Sequence, residues 1–122
     1  MVNTSVLNPT ILEKIRQLGG EELLRRLVHC FFAYAPERFS KLQNAIQQND
    51  MEKVEFFAHS LKSSAGNIGA FHLLSLLNEI EIAAGNKNGP LILDSLETLN
   101  LRYAEFLDAL SQVLASKIEN SV

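Results

Sequence analysis

The sequence predicts an all-α protein: an antiparallel four-helix bundle with an additional short helix at its N-terminus. Apolar residues recur with a helical period along almost the whole chain, and no run of Val, Ile, Thr and Tyr alternates as a strand would. Short loops between long amphipathic helices imply antiparallel neighbours. The 122 residues form one domain with a single core, which we place at about residues 8–115.

The first two predicted helices are separated by a pair of glycines. Asn8-Pro9 predicts an N-cap followed by proline at the first helical position, and Gly19-Gly20 ends this short helix. The second helix covers about residues 21–48. Pro36 lies inside it and removes one backbone donor, so we expect a kink or a break there.

The remaining three helices follow from cap and stop signals. Asn49-Asp50 predicts the start of a third helix that runs to about Gly69. A fourth helix covers about residues 71–84 and is closed by the loop at residues 85–90. The fifth carries the periodic leucines and aromatic residues of residues 93–114.

Composition narrows the class of function. The formal charge of −3 and the scattered basic residues argue against nucleic-acid binding. The chain has neither a signal-peptide pattern nor an apolar run long enough to span a membrane, so we expect a cytoplasmic protein without membrane insertion. The single cysteine, Cys30, cannot form an internal disulfide, and we expect it to be a buried, reduced thiol.

The third helix has a core face and a face that carries a histidine. At 100° per residue, one wide face holds Val54, Phe57, Ala58, Leu61, Ser64, Ala65 and Ile68. His59 points almost opposite to that face and is therefore predicted to be exposed. By helical spacing its neighbours are Glu52, Glu55, Phe56, Lys62, Ser63, Gly66 and Ala70.

The residues around His59 suit a reactive, partner-facing surface. A neutral imidazole is a good nucleophile near neutral pH, and Lys62 one turn away could neutralise an anion attached to it. The small residues Gly66 and Ala70 would let a partner approach closely, with Glu55 and Phe56 at the rim of the contact. Gly66 could equally relieve crowding at a helix crossing, since glycine inside a helix costs about 1 kcal/mol relative to alanine.

These residues carry a family resemblance. The segment HSLKSSAGNIGA, residues 59–70, resembles the motif of histidine phosphotransfer domains: His-x-Leu-Lys-Gly-(Ser/Ala)-(Ser/Ala)-x-x-hydrophobic-Gly-Ala. The stretch LGGEELLRRLVHCFFAYAPERFSKLQNAIQQNDMEKVEFFAH and the later LLNEIEIAAG are similar to the flanks of that motif in the family. The resemblance covers roughly residues 8–115.

The resemblance implies a phosphorelay intermediate. His59 would accept a phosphoryl group from an aspartate of one response-regulator receiver domain and pass it to another, with Lys62 neutralising the phosphohistidine. The partners would be receiver domains and a hybrid sensor kinase, and Mg²⁺ would belong to the receiver. The domain itself would need no metal or nucleotide and would have no autonomous kinase activity. We expect a monomer.

Two points stay open at the level of sequence. Ser63 stands where the family usually has glycine, and its hydroxyl could bond a phosphoryl oxygen or the imidazole. The departure also leaves an alternative: a phosphotransfer-like module that only binds a receiver or another signalling protein. Glu79 or Glu81 on the following helix could hold the second imidazole nitrogen of His59. A metal site built from His29, Cys30, His59 and His72 is disfavoured, because no pair has a supported chelating spacing.

Overall fold

The computed structural model describes residues 6–120, with side chains described for residues 6–115. Four helices occupy this part of the chain: α1 (Pro9–Gln47), α2 (Met51–Asn67), α3 (Phe71–Gly85) and α4 (Gly89–Asn120). Each helix packs against its neighbours in chain order, and α4 packs back against α1. Within the described residues the fold is therefore the predicted helical bundle, without strands.

The start of α1 follows the cap signal in the sequence. The Asn8 side chain accepts hydrogen bonds from the backbone N–H groups of Thr10 at 2.9 Å and Ile11 at 3.3 Å. Further along, Gly19 (φ −148°, ψ 15°) and Gly20 (φ 74°, ψ −172°) leave the helical region. Gly20 adopts a positive φ that side chains disfavour. The two glycines thus divide α1 into a short N-terminal segment and a long second segment, as predicted.

Pro36 does not break the second segment of α1. The backbone dihedrals of α1 leave the helical region only at Gly19 and Gly20, so of the two expected outcomes, a kink or a break, the break is absent. Pro36 itself is exposed, whereas Ala35 and Phe39 beside it are buried in the core. Packing of these neighbours offsets the loss of a single backbone hydrogen bond.

The turn between α2 and α3 is tied to the N-terminal segment. Asp50 caps α2 by accepting from the backbone N–H of Lys53 at 3.3 Å. The helix ends at Asn67, and Gly69 follows with φ 75°. The backbone N–H of Asn8 donates to the Gly69 carbonyl at 3.0 Å. A Cβ atom on Gly69 would lie only 2.9 Å from the Asn8 Cβ, so both backbone angle and space require glycine.

Buried apolar residues from all four helices make one core. Aromatic rings join α1 to α4: Phe39 stacks on Tyr103 with ring centroids 3.8 Å apart, and Phe31 meets Phe106 edge to face at 5.8 Å. The largest fully buried side chains are Leu24, Leu42, Ile46, Ile68, Leu77, Ile80, Ile92, Leu99, Leu110, Val28 and Val54. This core fixes how α2 and α3 face each other.

The surface of the bundle carries the single cysteine of the chain. Cys30 is exposed, so the prediction of a buried thiol is wrong. It follows the buried Val28 by two residues, about 200° around the helix, and lies at the edge of the core, where it lines a cavity together with Leu61 and Leu77. In the described part of the chain, no helix has both the length and the apolar character needed to cross a membrane.

Candidate functional site

His59 lies in the middle of α2 and faces solvent. Its side chain is 63% exposed, while Val54, Ala58 and Leu61 on the other side of the helix are buried. The helix is regular here because its apolar residues follow the 3.6 period and Asp50 caps its start. A rigid helix therefore presents the imidazole, as the face analysis predicted.

One imidazole nitrogen of His59 contacts α3. The Nδ1 atom lies 2.8 Å from Oε1 of Glu81. Glu79 is exposed and lies with Ile82 and Asn86 along another depression of the surface. Glu81, not Glu79, is thus the carboxylate that contacts the ring. With Nδ1 engaged, Nε2 is the ring nitrogen left for chemistry.

Lys62 reaches the same carboxylate. Its Nζ atom lies 2.6 Å from Oε2 of Glu81 and donates to Oδ1 of Asn78 at 3.2 Å. The Lys62 side chain is 25% exposed and that of Glu81 is 20% exposed, so this ion pair is shielded more than a surface pair. The ammonium is held by two residues of α3 while it stays one helical turn from His59.

Sequence reasoning did not single out Asn78. A signal was present: Asn78 and Glu81 are three residues apart on α3, which places them on one face of a helix that is mostly apolar. Two polar residues on one face of such a helix indicate a partner on the facing element. That partner is the pair His59 and Lys62 on α2.

The environment of Glu81 keeps its carboxylate ionised. Partial burial on its own would raise the pKa of Glu81. Hydrogen bonds and positive charge from Lys62 and His59 outweigh burial and hold the pKa below its ordinary value of 4.5. At neutral pH Glu81 is therefore an acceptor only, with one oxygen for each of its two partners.

The rim of the site is aromatic and acidic. Phe56 is 67% exposed, and its ring meets Phe57 edge to face with centroids 5.3 Å apart. It shares a shallow depression with Glu52, Glu55, His59 and Glu81. Phe56 therefore does not lean into the core, and Glu55 stands exposed beside it.

The predicted stripe of small residues is only partly at the surface. Gly66 is half-buried, and a Cβ atom there would lie 3.0 Å from Cδ1 of Leu74 on α3. This close approach favours the helix-crossing interpretation of Gly66. Ala70 is fully buried, so its prediction as a docking residue is wrong. The helical period does not continue to Ala70, because α2 ends at Asn67 and the turn at Gly69 carries Ala70 inward.

The hydroxyl of Ser63 does not hydrogen-bond to the imidazole ring of His59. Its hydroxyl donates to the main-chain carbonyl of His59 at 3.2 Å, a common bond of serine inside helices. Its side chain is exposed. The extra hydroxyl is thus compatible with a reactive ring, which weakens the main argument for a module that only binds.

The other histidines lie elsewhere. His29 is exposed on α1, and His72 is half-buried near the start of α3. Among the side chains that the structure describes, no group of three or more His, Cys, Asp and Glu residues is arranged to hold a metal ion. The chemistry of the site therefore rests on His59, Lys62, Asn78 and Glu81.

Comparison with known proteins decides the family. A family model described as Hpt domain matches residues 26–116, which include all four of these site residues. The chain belongs to the histidine phosphotransfer (Hpt) domain family. Hpt domains carry phosphoryl groups on a histidine in two-component phosphorelays, and this is the function of the chain.

The fold of this Hpt domain has a counterpart among solved structures. The crystal structure of histidine-containing phosphotransfer protein B from Pseudomonas aeruginosa PAO1 matches with a TM-score of 0.79 and 23% sequence identity. The match covers 90% of this chain and 95% of the other. At this identity the likeness concerns the fold. A sequence search of curated proteins gives no significant match.

Proposed function

We propose that His59 is the phosphorylated residue, and that its Nε2 atom takes a phosphoryl group from the aspartyl phosphate of one receiver domain and gives it to another. The proposal rests on two properties of the imidazole ring: it is exposed to solvent, and one of its two nitrogens already has a partner. The side chain is 63% exposed, and Glu81 contacts Nδ1 at 2.8 Å. Nε2 is thus the nitrogen accessible to a partner.

The transfer step needs one nucleophile and one leaving group. The lone pair of Nε2 attacks phosphorus, the bond from phosphorus to the partner's aspartate oxygen breaks, and the carboxylate leaves with that electron pair. The ring keeps its proton on Nδ1 and becomes positively charged. Glu81 then faces an imidazolium, which its negative charge stabilises. The return step to a second aspartate reverses these changes.

Lys62 can supply positive charge to the phosphoryl group without leaving its present partners. An ammonium has three N–H donors. The hydrogen bond to Asn78 uses one of them, and the ion pair with Glu81 still leaves a donor for a phosphoryl oxygen on the neighbouring turn. Phosphoryl transfer depends largely on positioning and on such charge stabilisation.

The rim around His59 is proposed to dock the receiver. Phe56 offers an exposed aromatic surface, and the carboxylates of Glu52 and Glu55 favour a partner with positive charge around its acidic pocket. Because a receiver binds this rim only transiently, the rim must be free of other protein contacts between encounters. We therefore propose a monomer. A hybrid sensor kinase is a further proposed partner, through its own receiver domain.

We propose a carrier without autonomous kinase activity. The site consists of one nucleophile with its charged neighbours, and Mg²⁺ is assigned to the receiver rather than to this domain. We also propose a cytoplasmic location, where response regulators and their phosphodonors meet, and a single domain with its core at about residues 8–115.

The test is incubation with a phosphorylated receiver and Mg²⁺, followed by assay for acid-labile, base-stable phosphate on this chain. The wild type should be labelled. A His29→Gln variant, which removes an exposed histidine of α1 and not of α2, is the control and should be labelled as well. His59→Gln should remain unlabelled while keeping its helical content. Label on the His59→Gln variant would overturn the assignment. No label on the wild type, with receiver binding retained, would indicate a module that only binds.

A further inference from the structure

A cavity of about 200 Å³ lies among the four helices and opens to solvent between α1 and α2. Every helix contributes to its walls, and the buried lining residues are apolar, among them Ala35, Phe39, Leu61, Ala65, Leu77 and Phe106. The lining residues at its mouth are exposed and include Cys30, Tyr34 and Arg38 on α1 and Asn67 on α2. The cavity thus has an apolar interior and a polar entrance, the usual composition of a ligand pocket.

Small residues at two core positions leave this space open. Ala35 of α1 and Ala65 of α2 are both buried, and both line the cavity. Protein cores normally contain few gaps larger than a water molecule. An engineered apolar cavity of about 150 Å³ takes up benzene, so the space here is large enough for one aromatic ring.

Aromatic side chains determine which shape of ligand the cavity accepts. Phe39 stacks on Tyr103 with ring centroids 3.8 Å apart, and Phe31 meets Phe106 edge to face at 5.8 Å. All four of these rings line the cavity. Contacts between aromatic rings stabilise a complex beyond the burial of apolar area alone. The walls therefore favour a flat aromatic ligand over an alkyl chain.

Arg38 is the one Asp, Glu, Lys or Arg residue in the lining of the cavity. Its guanidinium donates to Oγ of Ser60 on α2 at 3.3 Å, one turn before Ser64, which also lines the cavity. This bond uses one of the five N–H donors of the guanidinium. Among the side chains that the structure describes, none forms an ion pair with Arg38. The remaining donors suit a carboxylate, which a guanidinium binds through two parallel hydrogen bonds.

We propose that this cavity binds a small aromatic carboxylate, with its ring inside the cavity and its carboxylate at the mouth, against Arg38. Burial of the ring supplies most of the affinity, because an exposed ion pair contributes little. Arg38 determines that an anion is preferred to a neutral ligand of the same shape. This inference goes beyond phosphoryl transfer and does not depend on it, since none of His59, Lys62 and Glu81 lines the cavity.

Titration of the full chain with phenylacetate, followed in ¹H–¹⁵N correlation spectra, tests the site. Phenylacetate has one ring and one carboxylate, phenylacetamide is a neutral molecule of the same shape, and hexanoate is an alkyl carboxylate. Phenylacetate should shift the amide signals of the residues that line the cavity, with a dissociation constant on the order of 1 mM or lower. Phenylacetamide and hexanoate should shift the same signals only at higher concentrations.

Two arginine variants test the preference for an anion. Arg38→Ala should weaken the binding of phenylacetate roughly threefold, the effect of an exposed charge pair, and leave the binding of phenylacetamide unchanged. Arg25→Ala is the matched control, because Arg25 is exposed on the same helix and does not line the cavity. This control removes the same charge from α1 and should leave both affinities at their wild-type values.

Two further measurements locate the ligand. Ala65→Leu should abolish binding, because the larger side chain occupies the space between α1 and α2. Cys30 gives a readout that needs no variant, since it is the single cysteine of the chain and lines the mouth of the cavity. Saturating phenylacetate should slow the reaction of Cys30 with a thiol reagent several-fold.

Four results would each overturn the proposal. The first is the absence of shifts at the lining residues, with any probe up to its solubility limit. The second is equal affinity for phenylacetate and phenylacetamide, or equal weakening by the two arginine variants. The third is hexanoate binding as tightly as phenylacetate, and the fourth is wild-type affinity in a folded Ala65→Leu variant. If Ala65→Leu does not fold, the arginine variants and the reaction rate of Cys30 still decide.

Discussion

Leu61 and Phe56 are both large apolar residues of α2, but Leu61 is 5% exposed and Phe56 is 67% exposed. Leu61 lies on the face that packs into the bundle, and Phe56 lies beside His59 on the opposite face. The side chains are of the same general class, and burial rather than residue type separates them. One face of α2 maintains the fold, and the other is available for a partner.

The largest expected effect on stability comes from the core face. Leu61→Ala should lower the free energy of unfolding by about 2–5 kcal/mol, because it removes buried methyl groups and leaves a cavity. Leu61 already lines a cavity of about 200 Å³ together with Leu73 and Leu77, and truncation enlarges it. Urea unfolding followed by circular dichroism measures the change. A loss below about 1 kcal/mol would mean that the neighbouring helices close the space.

The same truncation on the exposed face should affect binding instead. Phe56→Ala should weaken binding to a receiver about tenfold, which corresponds to about 1.4 kcal/mol. Its free energy of unfolding should change by less than about 0.5 kcal/mol, the usual range for surface substitutions. Isothermal titration calorimetry gives the affinity.

Leu93→Ala is the control for Phe56→Ala. Leu93 is also large, apolar and exposed, but it lies on α4 and not on the face of α2 that carries His59. Its substitution should leave receiver binding unchanged. Equal weakening by both variants would remove Phe56 from the docking surface.

Which residues of α2 are buried and which are exposed could be predicted from the sequence of α2 alone. Helical period placed His59 opposite the core, and Asp50 marked the start of the helix, as the structure confirms. The same reasoning failed at Ala70, because a period extrapolates a helix past its end. The helix α2 ends at Asn67, and the turn that follows has a positive φ at Gly69, which lies against Asn8 of the N-terminal segment.

Contacts between helices were not predictable in the same way. Glu79 and Glu81 are both acidic residues of α3, and only the rotation of α3 against α2 decides which one meets His59. That rotation is set by core packing, including the close approach of Leu74 to Gly66. Cys30 failed for a related reason, since its apolar sequence surroundings did not reveal which side of α1 faces the core.

A decrease in pH should reduce the stability that Glu81 contributes through its contacts with the charged side of α2. This contribution should be smaller than that of Leu61. Burial opposes ionisation of Glu81, but Lys62 and His59 outweigh it and hold its pKa below the ordinary value of 4.5. A pKa lowered by folding stabilises the protein above the unfolded pKa, and this contribution is lost as pH falls through the folded pKa. Wild type should therefore exceed Glu81→Gln in stability at neutral pH by less than about 1 kcal/mol, given the partial exposure of the pair.

The measurement for Glu81 is the difference between two unfolding free energies, because the other carboxylates titrate in both proteins. Denaturation of wild type and Glu81→Gln is compared at intervals from about pH 7 to about pH 3. The difference should shrink toward zero at the acid end. A difference that stays constant with pH would mean that the ion pair with Lys62 does not contribute through the charge of Glu81.

The smallest effect is expected from Ser63→Gly, next to His59 on the exposed face. The Ser63 hydroxyl donates to the main-chain carbonyl of His59 at 3.2 Å and is not bonded to the ring, so transfer should remain intact. Stability should fall by roughly 0.5 kcal/mol, the difference between serine and glycine inside a helix. Initial transfer rates decide the point: a loss of more than about tenfold, or about 1.4 kcal/mol in the barrier, would show that the hydroxyl assists transfer. Intact transfer would mean that this position tolerates serine and glycine alike, because the hydroxyl bonds to the main chain of α2 and not to the ring.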